Sequence, residues 1–220
     1  MSNEPKTLKQ QNSLQIGAYV VINVLVFWGL ANGIGINFQS SNSLPEQLFT
    51  SALWSIIIGT LTTILSGQMN QDFKYFLIFW RLKDRLPACR AFSYFMNQDP
   101  RIDPKAIEAK LTTIPTDPTE QNRTWYKIYK RHQDKNSVID AHKNFLLTRE
   151  VTGLSFLFLI TLGSASFFFF PSWKLSIFYL IGLLVLFLLA SQAGRNYGAR
   201  FVTNVLAEEC TDTSTSTAKP

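Results

Sequence analysis

The chain has 220 residues, 46% of them hydrophobic, and a formal net charge of +6. Many soluble domains share this average, but residues 10–45, 47–71, 151–173 and 175–194 contain no charged side chain. Such uncharged runs exclude water-soluble helices, which would show a charged face at helical period. Each run reaches the roughly twenty residues that a helix needs to cross a bilayer. We therefore expect an all-α integral membrane protein with four transmembrane helices.

The first predicted span covers residues 16–37 and follows a cytosolic N-terminus of residues 1–15. Its apolar stretch is too long for the hydrophobic region of a signal peptide, and no A-x-A cleavage pattern follows it, so an uncleaved anchor is expected. The second predicted span covers residues 48–67. Ser43 and Glu46 form an S-x-x-E capping box in front of it.

Small residues recur at every fourth position of the second span. In lipid no hydrophobic drive acts between helices, so they associate where small residues allow their backbones to approach closely. We therefore predict a helix-packing interface on this face, either within the bundle or between copies of the chain. Its residues are Ser51, Ser55, Gly59, Thr63 and Gly67.

A basic, helical cytosolic domain is predicted at residues 72–149, between spans two and three. Residues 72–150 hold 15 of the 21 Lys and Arg and 10 of the 15 acidic residues. The first part, residues 72–86, has an apolar face and several cations. This pattern is typical of an amphipathic helix in the headgroup layer, and a helix in the domain core is the alternative. Pro87 is expected to end this helix.

Capping motifs predict three more helices in this domain. Asp103 and Asp117 each stand before a proline, as N-caps commonly do. A third capping box begins at Ser137, and no helix breaker stands between it and residue 151. One continuous helix of about 32 residues is therefore expected to lead into the third span.

The third and fourth spans are predicted at residues 151–170 and 173–193, which leaves room only for a tight hairpin between them. A cytosolic tail follows at residues 194–220, and its Thr- and Ser-rich end is expected to be disordered. Lys and Arg lie in the N-terminus, the central domain and the tail, whereas the loop 38–47 has none. The positive-inside rule then places both termini in the cytosol, at a cell inner or plasma membrane.

One stretch of the central domain combines aromatic and basic residues. Surfaces of this kind bind phosphate-bearing ligands, including nucleic acids and nucleotides. An anionic leaflet, a core face or the positive-inside rule alone would also account for the same residues. The candidate ligand-binding residues are Arg123, Trp125, Tyr126, Lys130 and Arg131.

The sequence contains no nucleophile elbow, P-loop or dinucleotide motif, so no enzymatic activity is predicted. No cofactor or metal is expected either, because Cys89 and Cys210 have no partners at metal-ligand spacing. The function predicted is a non-enzymatic, multi-pass membrane protein whose cytosolic domain senses or docks a partner. It would act as a homo-oligomer or as a subunit of a membrane complex. The alternative is a passive channel or small-solute transporter lined by Ser, Thr and Asn, such as Asn23.

Overall fold

The computed structural model describes residues 8–32, 60, 64, 67–111 and 113–216. Within these ranges the chain is helical and contains no strand, which confirms the all-α prediction. The helices, in chain order, are α1 (Leu8–Gln11), α2 (Ser13–Ala31), α3 (Gln71–Phe79), α4 (Pro104–Lys110), α5 (Pro118–His132), α6 (Asn136–Phe169) and α7 (Trp173–Ser216). Two short 3-10 helices, Pro87–Arg90 and Phe95–Asn97, lie between α3 and α4.

Among the described residues, α2, α6 and α7 are long and apolar enough to cross a membrane. The predicted third and fourth spans lie within α6 and α7, and α2 covers the first predicted span as far as Ala31. The second predicted span lies almost entirely outside the described residues. So do four residues of its small-residue stripe: Ser51, Ser55, Gly59 and Thr63.

The chain forms two compact units. Unit 1 contains the residues up to Lys74 together with Arg149–Ser191, and unit 2 contains Tyr75–Thr148 together with the residues from Gln192 onward. The boundary falls inside α6 and again inside α7, so each of these two helices supplies residues to both units.

Unit 1 is built on close approach between α2, α6 and α7. Val24, Leu154 and Phe158 are each 1% exposed at its centre. A Cβ added at Gly163 of α6 would stand 2.6 Å from Leu180 Cδ1 of α7, so the missing side chain allows the two helices to meet. Such small-residue contacts are the usual means of helix association in lipid.

A tight hairpin joins α6 to α7, as predicted, because α6 ends at Phe169 and α7 begins at Trp173. The Ser176 hydroxyl donates a hydrogen bond of 2.9 Å to the carbonyl of Ser166 across the hairpin. The same carbonyl also accepts from the backbone N–H of Phe170 at 2.9 Å, so the Ser176 bond adds a contact between the two helices.

The prediction of one continuous helix into the third span is confirmed, since α6 is unbroken over 34 residues. Its start differs from the predicted capping box: Asn136 is already helical, and Ser137 lies inside the helix. The Ser137 hydroxyl donates to Glu208 of α7, and its carbonyl accepts from Asn204 at 2.9 Å. Ser137 therefore joins two helices instead of capping one.

The two other predicted caps are confirmed. The Asp103 carboxylate accepts from the backbone N–H of Lys105 at 3.0 Å, and that of Asp117 accepts from the N–H of Glu120 at 3.1 Å. Each satisfies one of the backbone donors that the first turn of a helix leaves free.

The helix predicted over residues 72–86 is wrong in extent, because α3 ends at Phe79. Trp80 follows with φ of 53°, in the left-handed region that ends helices and that a tryptophan rarely adopts. Arg195 of α7 stabilises this ending. Its Nε donates to the carbonyl of Ile78 at 2.5 Å, and its guanidinium lies 4.3 Å from the Trp80 ring centroid.

The core of unit 2 collects side chains from α3 to α7 and from the 3-10 segments. Ile78, Phe92, Ile107 and Val205 are at most 1% exposed, and burial of such a side chain stabilises a fold by about 1.5–3 kcal/mol. The buried Gln121 accepts from the N–H groups of Phe92 and Ser93 at 3.1 Å each, which fixes the 3-10 region against α5.

Candidate functional site

A pocket of about 620 Å³ opens in unit 1. The beginning of α2, the residues leading into α3 and the middle of α6 surround it. Apolar side chains such as Ile16 and Leu154 share its wall with polar and charged ones. The polar lining includes Gln10, Ser13, Gln68, Asn70, Lys74 and Glu150.

Two buried charges, Lys74 and Glu150, line this pocket. Together with the buried Arg149, which pairs with Glu150, we call them the Lys74 cluster. Lys74, Arg149 and Glu150 are 6%, 5% and 7% exposed, respectively. The Lys74 ammonium donates to Glu150 Oε2 at 2.6 Å. The Arg149 guanidinium donates to the other carboxylate oxygen of Glu150 at 2.9 and 3.2 Å, and to Gln71 Oε1 at 2.7 Å.

The backbone of α6 makes room for this cluster at Gly153. A Cβ added there would meet the Lys74 stem at Cε, Cγ and Cδ, 3.5–3.7 Å away, so the aliphatic chain of Lys74 packs directly on the helix at this point. One residue earlier, Phe73 packs its ring against that of Phe156 on α6, with ring centroids 5.6 Å apart. These contacts direct Lys74 toward Glu150.

The Lys74 cluster is absent from the sequence prediction, although a signal for it existed. Lys74 is the first cation after the second uncharged run, and Glu150 is the last charge before the third. Opposite charges at the ends of two neighbouring spans are candidates for a buried pair, because charges near a bilayer are expensive unless they are paired.

The candidate ligand-binding residues all lie on α5, but they point in different directions. Arg123, Tyr126 and Lys130 are exposed. The Lys130 ammonium lies 5.6 Å from the Tyr126 ring centroid, and Arg123 pairs with Glu120 at 2.9 Å. These three residues form a basic, aromatic surface, so their role in ligand binding stays a prediction.

Trp125 and Arg131 have structural partners instead. Trp125 is 6% exposed and donates to the carbonyl of Val202 at 3.3 Å, so it belongs to the core of unit 2. Arg131 donates to Glu209 Oε1 at 2.8 Å. Arg131 is nevertheless exposed, so of the five predicted residues only Trp125 is inaccessible to a ligand on the surface of α5.

A second buried charge cluster lies in unit 2 around Glu209 of α7. Glu209 is 5% exposed and bonds to His132 Nε2 at 2.6 Å. Arg131 and Lys110 place their cationic nitrogens 2.8 and 3.5 Å from its other oxygen. The cluster connects α7 to α4 and α5. It therefore has a structural explanation, and the sequence prediction missed it because Glu209 is far from its partners along the chain.

Several other titratable groups are packed in unit 2. The rings of His142 and Phe201 stack with their centroids 4.5 Å apart. The Tyr129 hydroxyl lies within hydrogen-bond distance, 3.2 Å, of His142 Nδ1. Burial raises the pKa of the Tyr129 hydroxyl and of the Cys89 thiol. Cys89 and Cys210 are free thiols, as predicted. A neutral, buried thiol such as Cys89 is a poor nucleophile.

Comparisons with models of known protein families, with curated proteins and with solved structures found no match to this chain.

Proposed function

We propose that this chain is a non-enzymatic, multi-pass membrane protein whose cytosolic part senses or docks a partner and is mechanically coupled to the membrane helices. The observation that carries the proposal is the continuity of α6 and α7. Each of these helices begins or ends in an apolar, uncharged run, and each also supplies core residues of unit 2. Because a helix propagates displacement along its axis, a partner bound to unit 2 would act on the spans through them.

The proposed topology has four spans, with residues 48–67 as the second. Both termini and residues 72–149 face the cytosol of a cell inner or plasma membrane. The distribution of Lys and Arg supports this orientation, since residues 72–150 alone carry a net charge of +5. The lipid bilayer is thus the first partner of the chain.

The docking partner would meet the exposed side of α5, where Arg123, Tyr126 and Lys130 are accessible. Cations beside an aromatic ring suit an acidic protein surface, and they equally suit a nucleotide or nucleic acid phosphate. The stripe from Ser51 to Gly67 would join copies of the chain, or join the chain to other subunits of a membrane complex.

A passive channel is the rival function, and the polar groups of the described spans do not favour it. Asn23 donates to the carbonyl of Tyr19 at 2.8 Å, and Thr161 donates to that of Leu157 at 2.7 Å, each within its own helix. Side chains bonded to their own backbone offer fewer groups to a passing solute.

Flux measurements on reconstituted vesicles separate these two functions. Vesicles that contain the purified chain alone should release K⁺ and a small fluorescent dye no faster than protein-free vesicles. Constitutive leakage that scales with protein content would overturn the proposal in favour of the channel.

Coupling is then tested with a spin label on α5 and a second on α7 near Ser191. Charge removal by Arg123→Gln with Lys130→Gln should abolish any ligand-induced change at the second label.

The oligomer is tested separately with Gly59→Leu. This change should shift the detergent-solubilised protein to a smaller species if the stripe joins copies, because the added side chain separates the helices. Gly29→Leu is the matched control, since a Cβ at Gly29 would meet no atom within 4 Å in the described structure. An unchanged mass for the Gly59 variant would restrict the stripe to packing within one chain.

A further inference from the structure

Residues 80–86, which follow α3 and which we call the 80–86 loop, expose two large apolar side chains between cations. Trp80 is 55% exposed and Leu82 is 78% exposed. The charged residues of the loop are three cations and one acid: Arg81, Lys83, Arg85 and Asp84. Single apolar residues at a surface are common, so the position of the loop decides what these two mean.

The loop has a defined shape that keeps Trp80 and Leu82 at the surface. The indole N–H of Trp80 donates to the carbonyl of Leu77 at 2.9 Å, so the exposed part of the ring presents carbon atoms. The Nε of Arg85 donates to the carbonyls of Arg81 and Leu82 at 3.2 and 3.3 Å. These bonds to the backbone hold the two exposed side chains in place.

Arg195 of α7 determines the depth at which the loop lies. Its guanidinium packs on the Trp80 ring, and its Nε donates to the carbonyl of Ile78. Along α7, Arg195 is the first charge after the uncharged residues 175–194. A helix of about twenty residues crosses the roughly 30 Å of the hydrocarbon core. In the proposed topology Arg195 and Trp80 therefore stand at the cytosolic surface of the bilayer, where tryptophan is enriched.

The part of α3 that belongs to unit 2 does not offer its own apolar face to lipid. Leu77 and Ile78 are 4% and 0% exposed, and Ile78 belongs to the core of unit 2. For this half of the helix the structure favours a core position over the headgroup layer, the two alternatives that the sequence leaves open. The exposed apolar groups lie instead in the 80–86 loop.

We propose that the 80–86 loop anchors unit 2 to anionic phospholipids of the cytosolic leaflet. Trp80 and Leu82 enter the boundary between headgroups and acyl chains, and Lys83 and the neighbouring arginines contact lipid phosphates. Apolar side chains between cations fit an anionic lipid surface, because it offers acyl chains and phosphates within about 5–10 Å of depth. The inference rests on the proposed four-span topology and adds to it a lipid class and a contact surface.

Nitroxide labels on the full-length protein in nanodiscs test the anchor. The nanodiscs contain dioleoylphosphatidylglycerol and dioleoylphosphatidylcholine in equal amounts, and Cys89 and Cys210 are replaced by alanine and serine. Leu82→Cys carries the label under test. Lys127→Cys on the exposed side of α5 is the aqueous control, and Leu189→Cys, at a residue 63% exposed on α7, is the bilayer control. Collisions with oxygen, which concentrates in lipid, and with a water-soluble nickel chelate report the depth of each label.

The label at position 82 should lie about 5–10 Å inside the boundary between headgroups and acyl chains, whereas the label at position 127 should be in water. The label at position 189 should be the deepest of the three. An aqueous label at position 82 with a bilayer signal at position 189 overturns the anchor and leaves the spans intact. Aqueous labels at both positions overturn the span in α7, and with it the proposed topology.

Charge reversal at Lys83 tests the requirement for anionic lipid. Lys83→Glu should lower the ratio of inserted to aqueous label at position 82 at least about fivefold, because each cation near an anionic leaflet contributes about that factor. Lys127→Glu makes the same change in net charge and should alter this ratio less than about twofold.

In nanodiscs of phosphatidylcholine alone, Lys83→Glu should change the ratio less than about twofold. An unchanged ratio for Lys83→Glu in the mixed nanodiscs overturns the assignment of anionic lipid as the partner. An equal loss in both kinds of nanodisc also overturns it, since the charge of the leaflet would then have no effect.

Discussion

At Gly153 a single missing side chain decides how a buried cation is held. The Lys74 stem occupies the space beside the α6 backbone at ordinary van der Waals distance from where a Cβ would stand. A methyl group fits this space, but a branched side chain does not. The geometry of the Lys74–Glu150 ion pair therefore depends on a residue that carries no charge.

Gly153→Leu should displace the Lys74 stem and lower the free energy of unfolding by about 1–3 kcal/mol, the usual cost of overpacking. Gly153→Ala is the matched control and should be close to neutral or slightly stabilising, because alanine favours the helix. Chemical or thermal denaturation of the purified protein in detergent measures both. Equal stability of the leucine and alanine variants would contradict the packing described for Lys74.

Asp99 shows how a loop in unit 2 acquires a pH-sensitive anchor. Its carboxylate accepts from the Arg101 guanidinium at 2.7 and 3.0 Å, and Arg101 also donates to Asn204 of α7 at 2.9 Å. The hydrogen bond from Arg101 lowers the pKa of Asp99 to about 2, although burial acts in the opposite direction. The ionised Asp99 thus holds the guanidinium of Arg101, which binds α7.

A lowered pKa means that the stabilising effect of Asp99 is complete above its ordinary value of 3.8 and is lost as the pH falls toward about 2. Asp99→Asn should therefore lower the stability of the protein at neutral pH by about 1 kcal/mol, since Arg101 is largely exposed. The difference in stability between this variant and the wild type should disappear between pH 4 and pH 2. Melting curves over this range measure it, with the exposed Asp134→Asn as control. A gap independent of pH would contradict the assignment.

At the scale of helices, the sequence predicts those features that depend on residues close together in the chain. The caps at Asp103 and Asp117 and the unbroken α6 follow from residues within a few positions of each other, so the sequence alone indicates them. The end of α3 was misplaced because it depends on Arg195, more than a hundred residues away, which binds the Ile78 carbonyl and covers Trp80.

The two buried charge clusters also depend on residues that are far apart in the sequence. Lys74 and Glu150 are 76 residues apart, and His132 and Glu209 are 77 apart. No periodicity or motif connects such pairs, and only the packing of helices brings them together. Of the predicted ligand-binding residues, Trp125 is buried for the same reason: composition identified the helix, but not the face that α7 would cover.

Substitutions at two glycines of α7 test the effects of helix propensity and of helix packing separately. A Cβ at Gly198 would stand 2.9 Å from Phe79 Cζ and 3.1 Å from Phe145 Cε2, whereas one at Gly182 would meet no atom within 4 Å in the described structure. Gly198→Ala should therefore destabilise the protein by about 1–3 kcal/mol through overpacking. Gly182→Ala should be neutral or stabilising by up to about 1 kcal/mol, because alanine is the better helix former.

Denaturation of these two variants gives the comparison, and near-ultraviolet circular dichroism reports the Phe79 and Phe145 environment. The spectrum should change in Gly198→Ala and remain as in the wild type in Gly182→Ala. If both alanine variants stabilise the protein equally, α7 does not approach α3 and α6 as closely at Gly198 as the contact distances require.

For the whole molecule, the continuity of α6 and α7 makes topology the property on which the proposed function depends. Residues 127 and 173 are separated by one predicted span, so the proposed topology puts them on opposite sides of the membrane. Lys127 and Trp173 are both exposed, and each tolerates a cysteine without disturbing a core. The native thiols at Cys89 and Cys210 are replaced by alanine and serine to remove background labelling.

In right-side-out vesicles a membrane-impermeant maleimide should label Trp173→Cys at once and Lys127→Cys only after permeabilisation. Inside-out vesicles should give the reverse pattern, because the positive-inside rule assigns the basic segment to the cytosol. A reversed pattern in both preparations would retain the span in α6 but overturn the orientation. Labelling of both positions from one side would show that α6 does not cross the membrane. A partner on unit 2 could then not act across the bilayer through α6.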